Sequence, residues 1–176
     1  ENIADGDVVY AAEGDDTILL TDLGFHRIDG GPGVDTLKLD TSDIALRLHD
    51  LVLSQLAGIE VFGLTGTGNN SIELDGVDVL RLSKTTNTLT ILGDQGDSLL
   101  LQVGGHWTHT GQETLPSGQT AEILENGQAR LRMDSRISLD FGLLHDPFDD
   151  ENTPYLLTTE QGNLLIQSMD DNDSLR

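Results

Sequence analysis

Gly30-Gly31-Pro32-Gly33-Val34-Asp35-Thr36-Leu37-Lys38 matches G-G-x-G-x-D-x-U-x at every fixed position. That nonapeptide winds a parallel β-roll and holds Ca²⁺ in its turns. Its glycines let the backbone enter conformations closed to other residues and free carbonyls to face a cation. The aspartate supplies a hard anionic oxygen, and the apolar residue two places on points into a core.

The neighbouring sequence repeats the pattern in decaying form. Ala11-Ala12-Glu13-Gly14-Asp15-Asp16-Thr17-Ile18-Leu19 is the same nonapeptide with alanine for the first two glycines. One period earlier, residues 2–10 keep Asp7 and Val9 but not the glycines. Asp7 and Asp16 are nine residues apart, and Asp16 and Asp35 nineteen, two periods plus one residue. Between them, Leu20 to Ile28 is a degenerate turn with Asp22 as its only acid. Two nonapeptides make one coil, so Asp16 and Asp35 are expected on adjacent coils along one side. Asp7 and Asp22 are expected to share the opposite side. A Ca²⁺ ion between Asp16 and Asp35 is the leading expectation. A Gly/Asp-rich turn series without metal is the alternative.

These turns resemble the RTX (repeats-in-toxin) family, whose members leave the cell by type I secretion. The resemblance implies that backbone carbonyls complete the Ca²⁺ shell, here Ala11 and Glu13 on one coil and Gly31 and Gly33 on the next. The ligand set it implies is then Asp7, Ala11, Glu13, Asp16, Asp22, Gly31, Gly33 and Asp35. Ala11, Ala12 and Asp5 depart from the family pattern, so the earlier turns match it less well than the last.

Composition narrows the function. Nine Lys and Arg against 31 Asp and Glu leave a formal charge of −22 on 176 residues. Such a chain repels nucleic acid and anionic membranes and attracts divalent cations. Bound Ca²⁺ is therefore expected to stabilise the fold as well as occupy a site. With no cysteine, there is neither a disulfide framework nor a thiol nucleophile. No apolar run reaches membrane-spanning length, and the N-terminus does not read as a signal peptide. The chain starts in mid-repeat, which implies a fragment of something larger, flanked by further modules and monomeric when isolated.

Downstream, strand-like segments recur every 8 to 12 residues with Gly, Asn or Asp in most gaps. They are 36–39, 44–48, 59–64, 70–74, 79–82, 87–92 and 98–101. Residues 43–57 read as a short strand followed by a helical turn. This spacing suits a solenoid of stacked parallel strands, with a sandwich as the alternative. Residues 58–101, with Leu64-Thr65-Gly66-Thr67-Gly68-Asn69-Asn70 and Gly93-Asp94-Gln95-Gly96-Asp97, resemble a module of very large repetitive bacterial surface adhesins. Thr120–Leu124 and Ala129–Met133 flank Glu125-Asn126-Gly127-Gln128, and Asn-Gly signals an antiparallel hairpin. Laid over the last coil, it would cover an open apolar end. The expected fold is thus all-β: a short Ca²⁺-binding parallel β-roll (1–40), a β-solenoid-like domain with an antiparallel hairpin cap (41–140), and an acidic connector with one strand at 163–167 (141–176).

Other chemistry is thinner. Asp94 and Asp97 would either ligate Ca²⁺ or cap a turn. His106 and His109 flank Trp107, which would anchor the hairpin or stack on a sugar. Asp149, Asp150 and Glu151 read as an acidic linker rather than a catalytic pair. Asp170-Asp171-Asn172-Asp173 lacks the glycine and distal glutamate of an EF-hand. The expectation is a non-enzymatic, Ca²⁺-stabilised structural or adhesive module of a secreted surface adhesin. It would lie outside the cell, at the bacterial surface, in cell-surface or cell–cell attachment. The alternatives are a peptide- or carbohydrate-binding module of the same adhesin, with residues 104–128 as contact surface, and the C-terminal roll of a secreted protease or lipase.

Overall fold

The computed structural model describes residues 2–3, 6–51, 55–66, 68–102, 106–141, 155–160 and 163–168, with backbone alone for 2–3, 155–160 and 163–168. The first strands are β1 (Asn2–Ile3), β2 (Val8–Tyr10), β3 (Thr17–Leu20), β4 (Arg27–Asp29) and β5 (Thr36–Leu39). Then come β6 (Ala45–Arg47), a 3₁₀ turn at Leu48–Asp50, β7 (Leu56–Ala57), β8 (Val61–Gly63) and β9 (Ser71–Leu74). Helix α1 (Gly76–Leu82) precedes β10 (Thr88–Leu92) and β11 (Ser98–Leu101). The rest are β12 (Thr108–Thr114), β13 (Thr120–Asn126), β14 (Ala129–Asp134), β15 (Ser138–Phe141), β16 (Tyr155–Glu160) and β17 (Asn163–Ser168).

The chain is all-β apart from its short helices. From β1 to β5 successive strands alternate between two sheets, and from β8 to β11 the large sheet alternates with a third. One sheet has the order β1-β3-β5-β8-β10-β14-β13-β12. The intervening strands form β2-β4-β7 and then β6-β9-β11-β15. Every pairing from β1 to β11 is parallel, as are β10 with β14 and β11 with β15. The large sheet crosses residue 40 without a break, through β5 and β8.

Period-two patterning explains the strands. Ile18, Leu20, Leu37, Leu39, Phe62, Leu89 and Ile91 turn inward from the large sheet, and Leu46, Ile72, Leu74, Leu99 and Leu101 from the four-stranded one. Together with Ile28 and Leu56 they form one buried cluster. Thr36, Lys38, Thr88 and Thr90 occupy the alternate positions.

Two expectations are corrected. The segment expected as a strand over 79–82 is the second half of α1. Asp75 accepts from the Asp78 N–H at 2.8 Å, and Asp78 accepts from the Asp75 N–H at 3.1 Å, a reciprocal N-terminal cap. Val79 and Leu82, three apart, are buried while Val77 is exposed, which is helical spacing. Arg81 then holds the carbonyls of Leu48 and Leu51.

The hairpin forms where Asn126-Gly127 predicts it, with Gly127 at φ +60°. It does not lie over the last coil. Strand β14 pairs parallel with β10, so the hairpin and β12 extend the sheet sideways. Parallel pairing resumes beyond it, because β15 pairs with β11. The strand expected at 163–167 is β17, paired antiparallel with β16.

Candidate metal centre

Three turns stack at one edge of the large sheet. The first runs from Ala11 to Asp16, the second from Gly30 to Asp35, and the third from Gly58 to Glu60, leading into β3, β5 and β8. Backbone bonds clamp them together: Ala11 N–H to Asp29 O at 2.9 Å, Gly14 N–H to Pro32 O at 3.0 Å, and Gly30 N–H to Ala57 O at 3.0 Å. The fit is tight enough to require glycine. A Cβ on Gly31 would lie 1.9 Å from the Ala12 carbonyl oxygen, and one on Gly33 2.0 Å from that of Gly14. Gly31 also has φ +93°. The carbonyls pressed on the next turn are thus those of Ala12 and Gly14, each one residue beyond the implied ligands Ala11 and Glu13.

Asp16, Asp35 and Glu60 make a column. Asp35 Oδ1 accepts the Asp16 N–H at 2.9 Å, and Glu60 Oε2 accepts the Asp35 N–H at 3.0 Å. Asp35 is completely buried. The second oxygen of Asp35 and the second oxygen of Asp16 are both buried without a hydrogen-bond partner. Leaving anionic oxygens dry and unpaired is costly, and such a group takes up a proton or pairs with a cation. The second carboxylate oxygens of Asp16 and Asp35 are therefore the atoms of this column with most to gain from a proton or a cation. Among the described residues no group of three or more His, Asp or Glu side chains forms a metal cluster. Any ion here would depend on two carboxylates and backbone oxygens.

The pairing expected of Asp7 and Asp22 is not the one found. The Asp7 carbonyl accepts from the N–H groups of His26 and Arg27, at 2.8 and 3.1 Å. His26 is thus level with Asp7, while Asp22 Oδ1 caps its own turn at the Gly24 N–H. Asp22 thus stands four residues before the position level with Asp7.

A second column forms at the turns entering the four-stranded sheet, and it is self-satisfied. Asn70 Oδ1 accepts the Ile44 N–H at 3.0 Å, and its Nδ2 donates to Leu64 O at 3.1 Å. Asp97 uses both oxygens, on the N–H groups of Asn70 and Asp94, each at 2.9 Å. Arg136 closes this end, donating to Gly93 O and Asp134 Oδ2, both at 2.7 Å. Asp97, one of the two alternative ligands considered above, already has both oxygens engaged by backbone donors.

Burial pushes the Asp35 carboxyl above its ordinary 3.8, with repulsion from Asp16, Asp15 and Asp29 adding to it. Burial, then the Asp35 charge, does the same to Glu60 above 4.5. Burial also acts to raise Asp134, but the Arg136 hydrogen bonds outweigh it and hold that carboxyl below 3.8. The metal-free folded state thus binds protons at Asp35 and Glu60 that the unfolded chain does not, so their contribution is lost as pH rises through the raised values. Metal-stripped protein in calcium-free buffer is expected to melt at a higher temperature as pH is lowered through the raised values toward the ordinary carboxylate range. The Asp134 contribution runs the other way and fails only in stronger acid. Circular dichroism melts check this; a melting temperature that falls over that interval contradicts it.

Trp107 is partly buried against the core, and His109 bonds Glu122 at 2.7 Å instead of meeting His106. Gly104 and Gly105, residues 149–151 and residues 170–173 lie outside the described residues.

No family model matches the chain, and no curated protein or solved structure matches it either.

Proposed function

We propose that the chain is a calcium-stabilised structural and adhesive module, a short parallel β-roll running into a β-solenoid, from a secreted bacterial surface adhesin. The observation that carries this reading is the pair of buried, unpartnered oxygens on Asp16 and Asp35 in stacked turns. Strands β1 to β5, which alternate between two sheets with parallel pairing, support the roll. Asp16 and Asp35 would hold the ion, and oxygens from the glycine-bearing turns would complete its shell. The ion would neutralise the column and lock successive coils. In low cytosolic calcium the chain would stay loose; outside the cell it would fold and serve as a link or attachment unit.

Thermal melts of wild type and Asp35→Asn, in excess Ca²⁺ and in EGTA, test this. Calcium at a hundredfold excess over its Kd should stabilise wild type by about 2.7 kcal/mol. Asparagine retains an acceptor for the Asp16 N–H and removes the buried charge. In EGTA the variant should therefore melt above wild type, and it should respond little to calcium. Identical wild-type melts in calcium and EGTA would sink the reading.

A further inference from the structure

A groove of about 290 Å³ opens on the outer face of the large sheet, away from the core. Its floor is a row set by register: Val61 beside Thr90, Thr90 beside Arg132, and Thr88 beside Arg130. Val34, Thr86 and Glu60 complete the lining. Val34 is about half exposed, and its N–H is pinned to Asp15 Oδ1 at 2.8 Å.

The polar groups are held in place but not used up. Arg130 donates to Glu125 at 3.1 Å and to Glu113 at 3.3 Å. Arg132 Nε is ion-paired with the other Glu113 oxygen at 2.5 Å without forming a hydrogen bond to it. Among the described residues nothing accepts from the Arg132 Nη atoms, and the Thr90 hydroxyl has no partner. A guanidinium fork, an open hydroxyl and two apolar valine surfaces converge on a volume at the small end of ligand sites.

Charge and topology select the ligand. Two arginines meet three glutamates here, Glu60, Glu113 and Glu125, on a chain of net charge −22, so an anion gains nothing. Strands β8 and β10 are hydrogen-bonded to neighbours on both edges, so no free backbone is offered for a peptide to pair with. We propose that this groove binds one residue of a neutral saccharide, with Arg132 and Thr90 bonding its hydroxyls and Val34 and Val61 against its C–H surface.

The groove adjoins the metal centre through Glu60 and Val34, so its test runs in excess Ca²⁺ throughout. ¹⁵N-labelled protein is titrated with the methyl α-glycosides of glucose, galactose and mannose, with sodium glucuronate, and with the peptide Gly-Ser-Gly-Ser-Gly. At least one neutral glycoside should shift the amides of Val34, Val61 and Thr88–Thr90 saturably. Thr90→Val, an outward and nearly isosteric change, should weaken that binding roughly tenfold, the value of one hydrogen bond. Arg132→Met should weaken it at least as much. A melt of each variant establishes that it is folded, and Thr90→Val decides alone if Arg132→Met is not. The proposal fails if no glycoside shifts these amides, if glucuronate or the peptide binds more tightly, or if Thr90→Val binds like wild type.

Discussion

Gly31→Ala is expected to cost about 4 kcal/mol, summing strain from a left-handed backbone with overpacking. The added methyl would meet the Ala12 carbonyl oxygen at 1.9 Å, and a backbone atom in a clamped turn cannot yield as a flexible side chain would. Gly118→Ala is the matched control. Gly118 has nearly the same torsion, φ +86°, but nothing lies within 4 Å of its added Cβ. It should lose only about 1 kcal/mol, the conformational part. Urea denaturation of both variants in excess calcium measures the difference. Equal losses would mean that the turns do not stack as closely as described.

Asp97→Ala is the second large effect, at about 3 kcal/mol. It leaves two N–H groups, of Asn70 and Asp94, without their acceptor at a site that is 1 % exposed. The loss should be the same with calcium and with EGTA, since both oxygens of this column are already used. A loss that appears only with calcium would place a cation at Asp97 as well. Read beside Asp35→Asn, this variant separates a column that needs an ion from one that does not.

The sequence made the Asp16–Asp35 column legible because its signals are local. The glycines, the aspartates and their spacing of nineteen all precede any knowledge of packing. The Asn126-Gly127 turn was equally plain. Glu60 was passed over as an ordinary strand residue, although it stands just before Val61 as Asp35 stands before Thr36. Asn70 and Asp97 share a further signal, since each precedes a serine and an alternating apolar pair. Helix α1 was hidden because Val79-Leu80-Arg81-Leu82 fits either period, and its cap uses aspartate where glutamate or glutamine is usual. The groove could not be read at all. Thr90 and Arg132 are 42 residues apart, and only the parallel pairing of β10 with β14 makes them neighbours.

The parallel pairing has a consequence for how the chain acquires its shape. Along the large sheet, from Leu19 back to Asn2, Thr36 to Thr17, Val61 to Thr36, Thr90 to Val61 and Arg132 to Thr90, partners are 17, 19, 25, 29 and 42 residues apart. Closing the longest of these loops costs under about 1 kcal/mol more than closing the shortest. Each strand needs only the coil before it as a template, so order can spread from one coil to the next. A chain delivered one end first can complete each winding before the following one has arrived.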